Sequence, residues 1–313
     1  MNPAPSIIFF TVASGAGYGA LFWMGLLRPF GLVPRTAGFG ALAIGIALVL
    51  VMLGLLSSTA HLGRPERAWR ALSQWRSSWL SREGVAAVLT FAPAGLFFLA
   101  VVGQSEWLAL PAGLLAAAGA AVTVWCTGMI YASLPTIRQW HHPLVAPGYL
   151  LFGAFSGAAL VAMLAGFWGA ATVPAAIAAV LGAVAFMLKR AYWASVDSAR
   201  PATTMETATG LGFIGKVRTL DPPHTETNYL LREMAFRIGR VHAARLRRIA
   251  SLAGFAGPAV LLGLALLTGG ISAAVLAIAA TALATAGLLA ERWLMFAEAT
   301  HTVALYYGAG ERG

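Results

Sequence analysis

The chain has 313 residues, 59% hydrophobic and only 10% charged, with a net charge of +10 and a mean hydropathy of +0.77. No soluble core can bury so much hydrocarbon, whereas apolar runs of about 20 residues are what a helix needs to cross a bilayer, so the class read from composition is an all-α polytopic membrane protein. The basic residues flank the apolar runs, as a topology signal does, which sets nucleic-acid binding aside; the lone Cys126 leaves no internal disulfide and no cysteine-held iron–sulfur cluster in this chain.

The first apolar run starts at Ile7 with no basic residue before it and no small-residue cleavage site after it, so it reads as a retained helix. Eight spans follow from the pattern, at 7–27, 37–57, 85–103, 107–131, 145–168, 172–193, 249–268 and 271–296. Pro29, Pro34, Pro111, Pro143 and Pro174 fall at or near their ends, where the first-turn amides have no helical partner to lose. Small residues recur on the helix faces, notably Ser14, Gly15, Gly17 and Gly19 in the first span and Gly153, Ser156 and Gly157 in the fifth, and predict close backbone packing. Residues 1–313 thus form one integral membrane anchor domain, with an extramembrane loop at 194–248.

With eight spans, both termini and the loops after the second, fourth and sixth spans share one face. That face carries 19 of the Lys and Arg residues against 2 on the other, Arg28 and Arg35. The positive-inside rule then puts this basic face, with both termini, in the cytoplasm of a bacterial inner membrane. All six histidines, His61, His141, His142, His224, His242 and His301, fall on the same face. No pair is placed to ligate a haem between facing helices, and no metal motif stands in its place.

The densest polar stretch is HLGRPERAWRALSQWRSSWLSRE, His61 to Glu83, between the second and third spans. Lipid tails cannot solvate it, so it lies at the membrane surface or against a partner. A quinone site needs an apolar slot open to lipid, a donor near a carbonyl and a protonatable group in touch with water. His61, ending the second span, can donate and exchange a proton near neutral pH, and Glu83, starting the third, can hold or relay one. Arg64 and Arg67 are placed to orient the carboxylate or the ring carbonyls, and Gly63 lets backbone approach closely. Arg70 and Arg76 are candidates for partner docking. Trp69, Trp75 and Trp79 read either as an interfacial aromatic belt or as ring-stacking groups.

The segment QWHHP brings His141 and His142, read as loop or docking contacts because neighbours on a helix point apart. In the long loop, TETNYLLREMAFRIGRVHAARLRRIA predicts an amphipathic helix capped by Thr225 and running into the seventh span. It serves as a helix on the lipid surface, as a docking surface through Arg232, Arg237 and Arg240, or both. Glu291, Arg292, Glu298 and His301 have helical spacing and read equally as structural ion pairs or as a proton route.

HLGRPERAWRAL followed by SWLSREG resembles the anchor subunits of the dimethyl sulfoxide reductase family, and the likeness extends through the eight-span layout. The opening PAPSIIFFTVASGAGYG and the loop GKVRTLDPPHTETNYLLREMAFRIGRVHA are more similar to one branch, the anchor of the cytoplasmic-facing sulfite dehydrogenase. The resemblance implies a complex with a catalytic subunit holding molybdenum bis-guanylyl dinucleotide and a four-cluster ferredoxin-like iron–sulfur subunit. This chain would bind ubiquinone or menaquinone through the residues matching the family motifs, His61, Gly63, Arg67 and Glu83; Arg64 is added from proximity alone. The charge asymmetry favours sulfite oxidation on the cytoplasmic side, with electrons passed to quinone. A quinol-oxidising anchor of a sulfoxide, N-oxide or polysulfide reductase is the alternative. A transporter is the remaining class, against which stand the lack of an inverted repeat and of ionisable residues at midplane.

Overall fold

The computed structural model describes residues 3–59, 63–199, 203–218, 220–221 and 242–307. Eight of its helices are long and apolar enough to cross a membrane: α1 Pro5–Leu27, α2 Ala37–Thr59, α3 Trp79–Val102, α4 Glu106–Ala132, α5 Val145–Gly166, α6 Thr172–Ser198, α8 Ala243–Thr268 and α9 Gly270–Ala297. A short helix α7, Met205–Thr209, lies between α6 and α8, and ten residues of 3₁₀ helix, Pro65–Gln74, lead into α3. The chain is an all-α polytopic membrane protein.

Two spans begin six residues before the apolar pattern does. The third starts at Trp79, because the Ser78 side chain accepts from the Ser81 amide and caps a free first-turn donor. The seventh starts at Ala243, its first turns carrying Arg245, Arg247 and Arg248, and widens into one π-helical turn at Leu252–Ala256. Most of the predicted loop helix, including Arg232, Arg237 and Arg240, lies outside the described residues, as does His61; the part that is described, Ala243–Ser251, is helical and continuous with α8.

α1 and α5 are the most buried spans. α1 packs on α2, α4 and α5, α3 pairs with α4, and α5 and α6 connect to the α8–α9 pair. The α1–α5 contact is made by glycines: a Cβ at Gly19 would sit 1.9 Å from the Gly153 carbonyl oxygen, and one at Gly157 would sit 2.1 Å from the Gly19 carbonyl carbon. The small-residue pattern is therefore a packing signal, since apolar tails give helices no hydrophobic reason to associate and close backbone approach has to supply it.

Arg28 and Arg35 close the bundle on the side away from the basic face. Arg28, buried, donates bidentately to Glu106 at the start of α4, at 2.8 and 2.7 Å, and to the Arg35 carbonyl at 2.9 Å. On the basic side, the α4–α5 connection is pinned by long-range bonds. Trp140 donates to the Met295 carbonyl (2.8 Å), Tyr192 donates to the Gln139 carbonyl (2.7 Å), and Thr302 donates to the Thr136 carbonyl (3.0 Å) beside the bridge between Ile137 and His301.

Candidate functional site

The 3₁₀ helix and the first turn of α3 form one unit. Ser81 donates to the Ala71 carbonyl, and Arg82 donates to the carbonyls of Trp75 (3.0 Å) and Arg76 (2.7 Å) while its guanidinium lies 4.3 Å from the Trp79 ring. Arg82 thus caps the 3₁₀ segment. Successive helical residues diverge by about 100°, so the next residue, Glu83, points away from that segment and into the bundle, where it is buried.

Glu83 is 4% exposed and accepts from the Thr127 hydroxyl of α4. It stands four residues inside α3 and not at the helix boundary, a depth of about 6 Å at 1.5 Å per residue. Thr127 also reaches the Thr123 carbonyl (3.1 Å), and the Thr123 and Thr90 hydroxyls meet at 3.3 Å, so hydroxyl groups extend inward from the carboxylate between α3 and α4.

Gly63, Arg64, Arg67, Arg70 and Arg76 are all exposed, and none forms an ion pair with Glu83 among the described residues. Arg70 and Arg76 lie 5.6 and 5.4 Å from the ring centres of Trp69 and Trp75, both exposed. The structure brings Glu83 together with the core and leaves the arginines as an outward basic and aromatic surface.

His141 and His142 are tied into the α4–α5 connection. His141 Nδ1 is 2.7 Å from the Ala132 carbonyl. The Leu144 amide donates to His142 Nδ1 (3.2 Å), which leaves Nε2–H to donate to the Ser195 hydroxyl at 3.0 Å. Partial burial, then the nearby Lys189 ammonium, push the His142 pKa below its ordinary value and favour this neutral tautomer.

A cluster that sequence reasoning did not assemble lies across the bundle. Lys189 of α6 pairs with Glu291 of α9 at 2.5 Å, and Arg292 reaches the other carboxylate oxygen at 3.5 Å; all three are buried. The Lys189 ammonium also lies 4.2 Å from the Tyr192 ring centre and 4.8 Å from that of Trp193, and the Arg292 guanidinium lies 3.7 Å from that of Tyr149. Lys189 enters the sequence reading only within the charge count of the basic face, and Glu291 only as an ion pair or proton route near the C-terminus; each interrupts an apolar face several residues from its helix end, a signal of a buried ionisable group. Glu298 belongs to a separate surface pair with Arg247 (2.6 Å), which also holds Asp197.

Two small cavities, each of about 20 Å³, lie beside this cluster, and the first reaches Thr127, the partner of Glu83. One is bordered by Thr11, Ser14, Thr127, Tyr149, Ser156 and Arg292, and the next by Lys189, Tyr192, Glu291, Arg292 and Tyr149. An apolar slot of about 190 Å³ between α1, α4 and α5, lined by Tyr18, Phe22, Ala120, Val124, Leu150 and Ala154, shares Val124 and Gly153 with the first cavity.

A family model described as DMSO reductase anchor subunit (DmsC) matches residues 1–208. A sulfite dehydrogenase subunit from Allochromatium vinosum is 34% identical over 327 aligned positions, covering 98% of this chain and 99% of that protein. The anaerobic dimethyl sulfoxide reductase chain YnfH of Escherichia coli is 31% identical over 123 residues, covering 37% of this chain and 41% of its own. An anaerobic dimethyl sulfoxide reductase chain from Haemophilus influenzae is 33% identical over 101 residues, 31% of this chain and 36% of that one.

Proposed function

We propose, on the premise that the chain belongs to the DMSO reductase anchor subunit (DmsC) family and is the membrane anchor of a redox enzyme complex, that it is the quinone-reducing anchor of a sulfite dehydrogenase. The observation that carries the reading is Glu83, a carboxyl group buried in an apolar bundle yet placed directly beneath an exposed basic segment. A carboxyl there is costly unless it is used, and proton exchange beside a membrane surface is a use that matches its position. The residues fit a quinone: Glu83 supplies a protonatable group, and an apolar slot between α1, α4 and α5 lies about one turn of α4 from Thr127.

The choice of branch rests on extent. Likeness to the sulfite dehydrogenase subunit spans both chains almost end to end, whereas the dimethyl sulfoxide reductase chains match over about a third. Sulfite would be oxidised at molybdenum bis-guanylyl dinucleotide in a catalytic subunit, and electrons would pass through a four-cluster iron–sulfur subunit. Bound quinone supplies a two-electron, two-proton acceptor. Glu83 gives protons to it, His61 donates a hydrogen bond to a carbonyl, and Gly63, Arg64 and Arg67 form the outer rim. The basic surface of Arg67, Arg70 and Arg76 meets the iron–sulfur subunit on the cytoplasmic side.

The test uses the purified complex. Glu83→Gln and His61→Phe are expected to abolish sulfite-dependent quinone reduction while dye-linked sulfite oxidation shows that the complex is assembled. Unchanged quinone turnover in both variants sinks the assignment. The partial likeness to anaerobic dimethyl sulfoxide reductase chains supports a second reading, a quinol-oxidising anchor, in which the same variants block quinol-driven sulfoxide reduction.

A further inference from the structure

We propose that Lys189, Glu291 and the two small cavities beside Arg292 form an internal proton route that refills Glu83 from the basic face near His142. The proposal rests on the quinone reading for its purpose, and on geometry for its existence.

The cluster demands an explanation beyond packing. Two cations and one anion are buried between α6 and α9, and well-packed apolar residues of similar volume hold helices together as well or better. The first of the two cavities is, moreover, polar. Thr11, Ser14, Thr127 and Ser156 give it hydroxyls, Arg292 borders it as well, and Thr127 donates to Glu83. About 20 Å³ with several polar partners is room enough for one water. The second cavity continues past Arg292 and Tyr149 to Glu291, Lys189 and Tyr192.

Hydrogen-bond polarity along this path is uniform. Arginine can only donate, so a water against Arg292 turns its oxygen to the guanidinium and its hydrogens to the hydroxyls that line the same cavity. There Thr127 can accept from that water while its own hydrogen points at Glu83. Every donor then faces the carboxylate. At the outer end, Leu144 and Tyr192 border the second cavity, and both touch His142, one through its amide and the other ring to ring at 5.2 Å.

As two electrons arrive from the iron–sulfur partner, two protons leave Glu83 in succession for the two oxygens of the quinone. Each is replaced by one passed through Thr127 and the water of the first cavity, which regains it from a second water in the cavity that Lys189 and Glu291 border; that water is reprotonated by the Lys189–Glu291 pair, and the pair recovers the proton from water at the basic face. Arg292 stays charged throughout and orients the path. Tyr131 and Tyr149, stacked at 5.6 Å, flank it, and Arg247 and Glu298 pair with each other outside it.

The experiment follows the Glu83 carboxyl by infrared spectroscopy in the full complex in lipid nanodiscs without added quinone, its C=O band identified by loss in Glu83→Gln. At a pH where the band is present, transfer to heavy water shifts it at the rate at which protons reach the site. Glu291→Gln and Ser156→Val, which fills the cavity without touching a charge, are each expected to slow that shift by at least about tenfold, and Glu291→Asp to restore part of it. Wild-type exchange in both overturns the route, whatever quinone turnover does. If Glu291→Gln does not assemble, Ser156→Val alone decides. Should Glu83→Gln keep full quinone turnover, the quinone reading falls while the exchange rates still decide whether the route exists.

Discussion

Replacing Lys189 with methionine isolates the energetics of the buried cluster. The change keeps most of the side-chain volume and removes the ammonium 2.5 Å from Glu291, a residue 1% exposed. Breaking one partner of a buried pair costs roughly 3–5 kcal/mol because the other charge is left without compensation. Arg292, at 3.5 Å from the second carboxylate oxygen, still answers part of that charge, which places the expected loss near the lower end, about 3 kcal/mol. Adding Glu291→Gln removes the stranded anion, so the double variant should lose less than the sum of the singles, with a coupling of about 2 kcal/mol. Reversible denaturant unfolding of the chain in mixed micelles measures all three. A single variant within about 0.5 kcal/mol of wild type would refute the reasoning, since that is the scatter of ordinary exposed substitutions.

Three further outcomes follow from the same structure. Gly157→Val sets a side chain against the Gly19 backbone, whose carbonyl carbon lies 2.1 Å from an ideal Cβ, and should prevent α1–α5 assembly, seen as loss of folded chain after detergent extraction. Reversing Arg67, Arg70 and Arg76 to glutamate should release the partner subunits during purification while the anchor remains in the membrane; co-purification in normal ratio would count against this surface. His142 is held below its ordinary pKa by burial and Lys189, so the unfolded connection binds a proton first as pH falls. Its contribution is complete above the unfolded value of about 6.5 and is lost as pH drops through the folded one. Protection of the Leu144 amide, taken relative to its base-catalysed intrinsic exchange rate, should therefore fall as pH drops below about 6.5, and His142→Gln should remove that dependence.

Span number and most boundaries were readable because a bilayer imposes a length that composition reports directly, and close backbone packing was readable from Gly19, Gly153 and Gly157, although not that α1 and α5 are each other's partners. The start of α3 was not. WLSRE looks like surface sequence, yet Arg82 turns back onto the 3₁₀ carbonyls, which lets Glu83 enter the bundle one residue later. The reading of Glu83 as a boundary group missed its partner, because Thr127 lies 44 residues away and nothing in a hydroxyl's local pattern names its neighbour. Lys189 and Glu291 were hidden for the same reason: they stand in different helices, and only the packing of α6 near α9 makes them a pair. Their burial also removes Lys189 and Arg292 from the loop charges, without altering the asymmetry between the two faces.

The central claim is tested most directly by sulfite-driven reduction of a short-chain quinone in the purified complex, run beside quinol-driven reduction of dimethyl sulfoxide. The account predicts sulfite oxidation coupled to quinone, with little reverse activity toward the sulfoxide. Sulfoxide reduction without sulfite oxidation would contradict it, leaving a membrane anchor whose electrons run the other way.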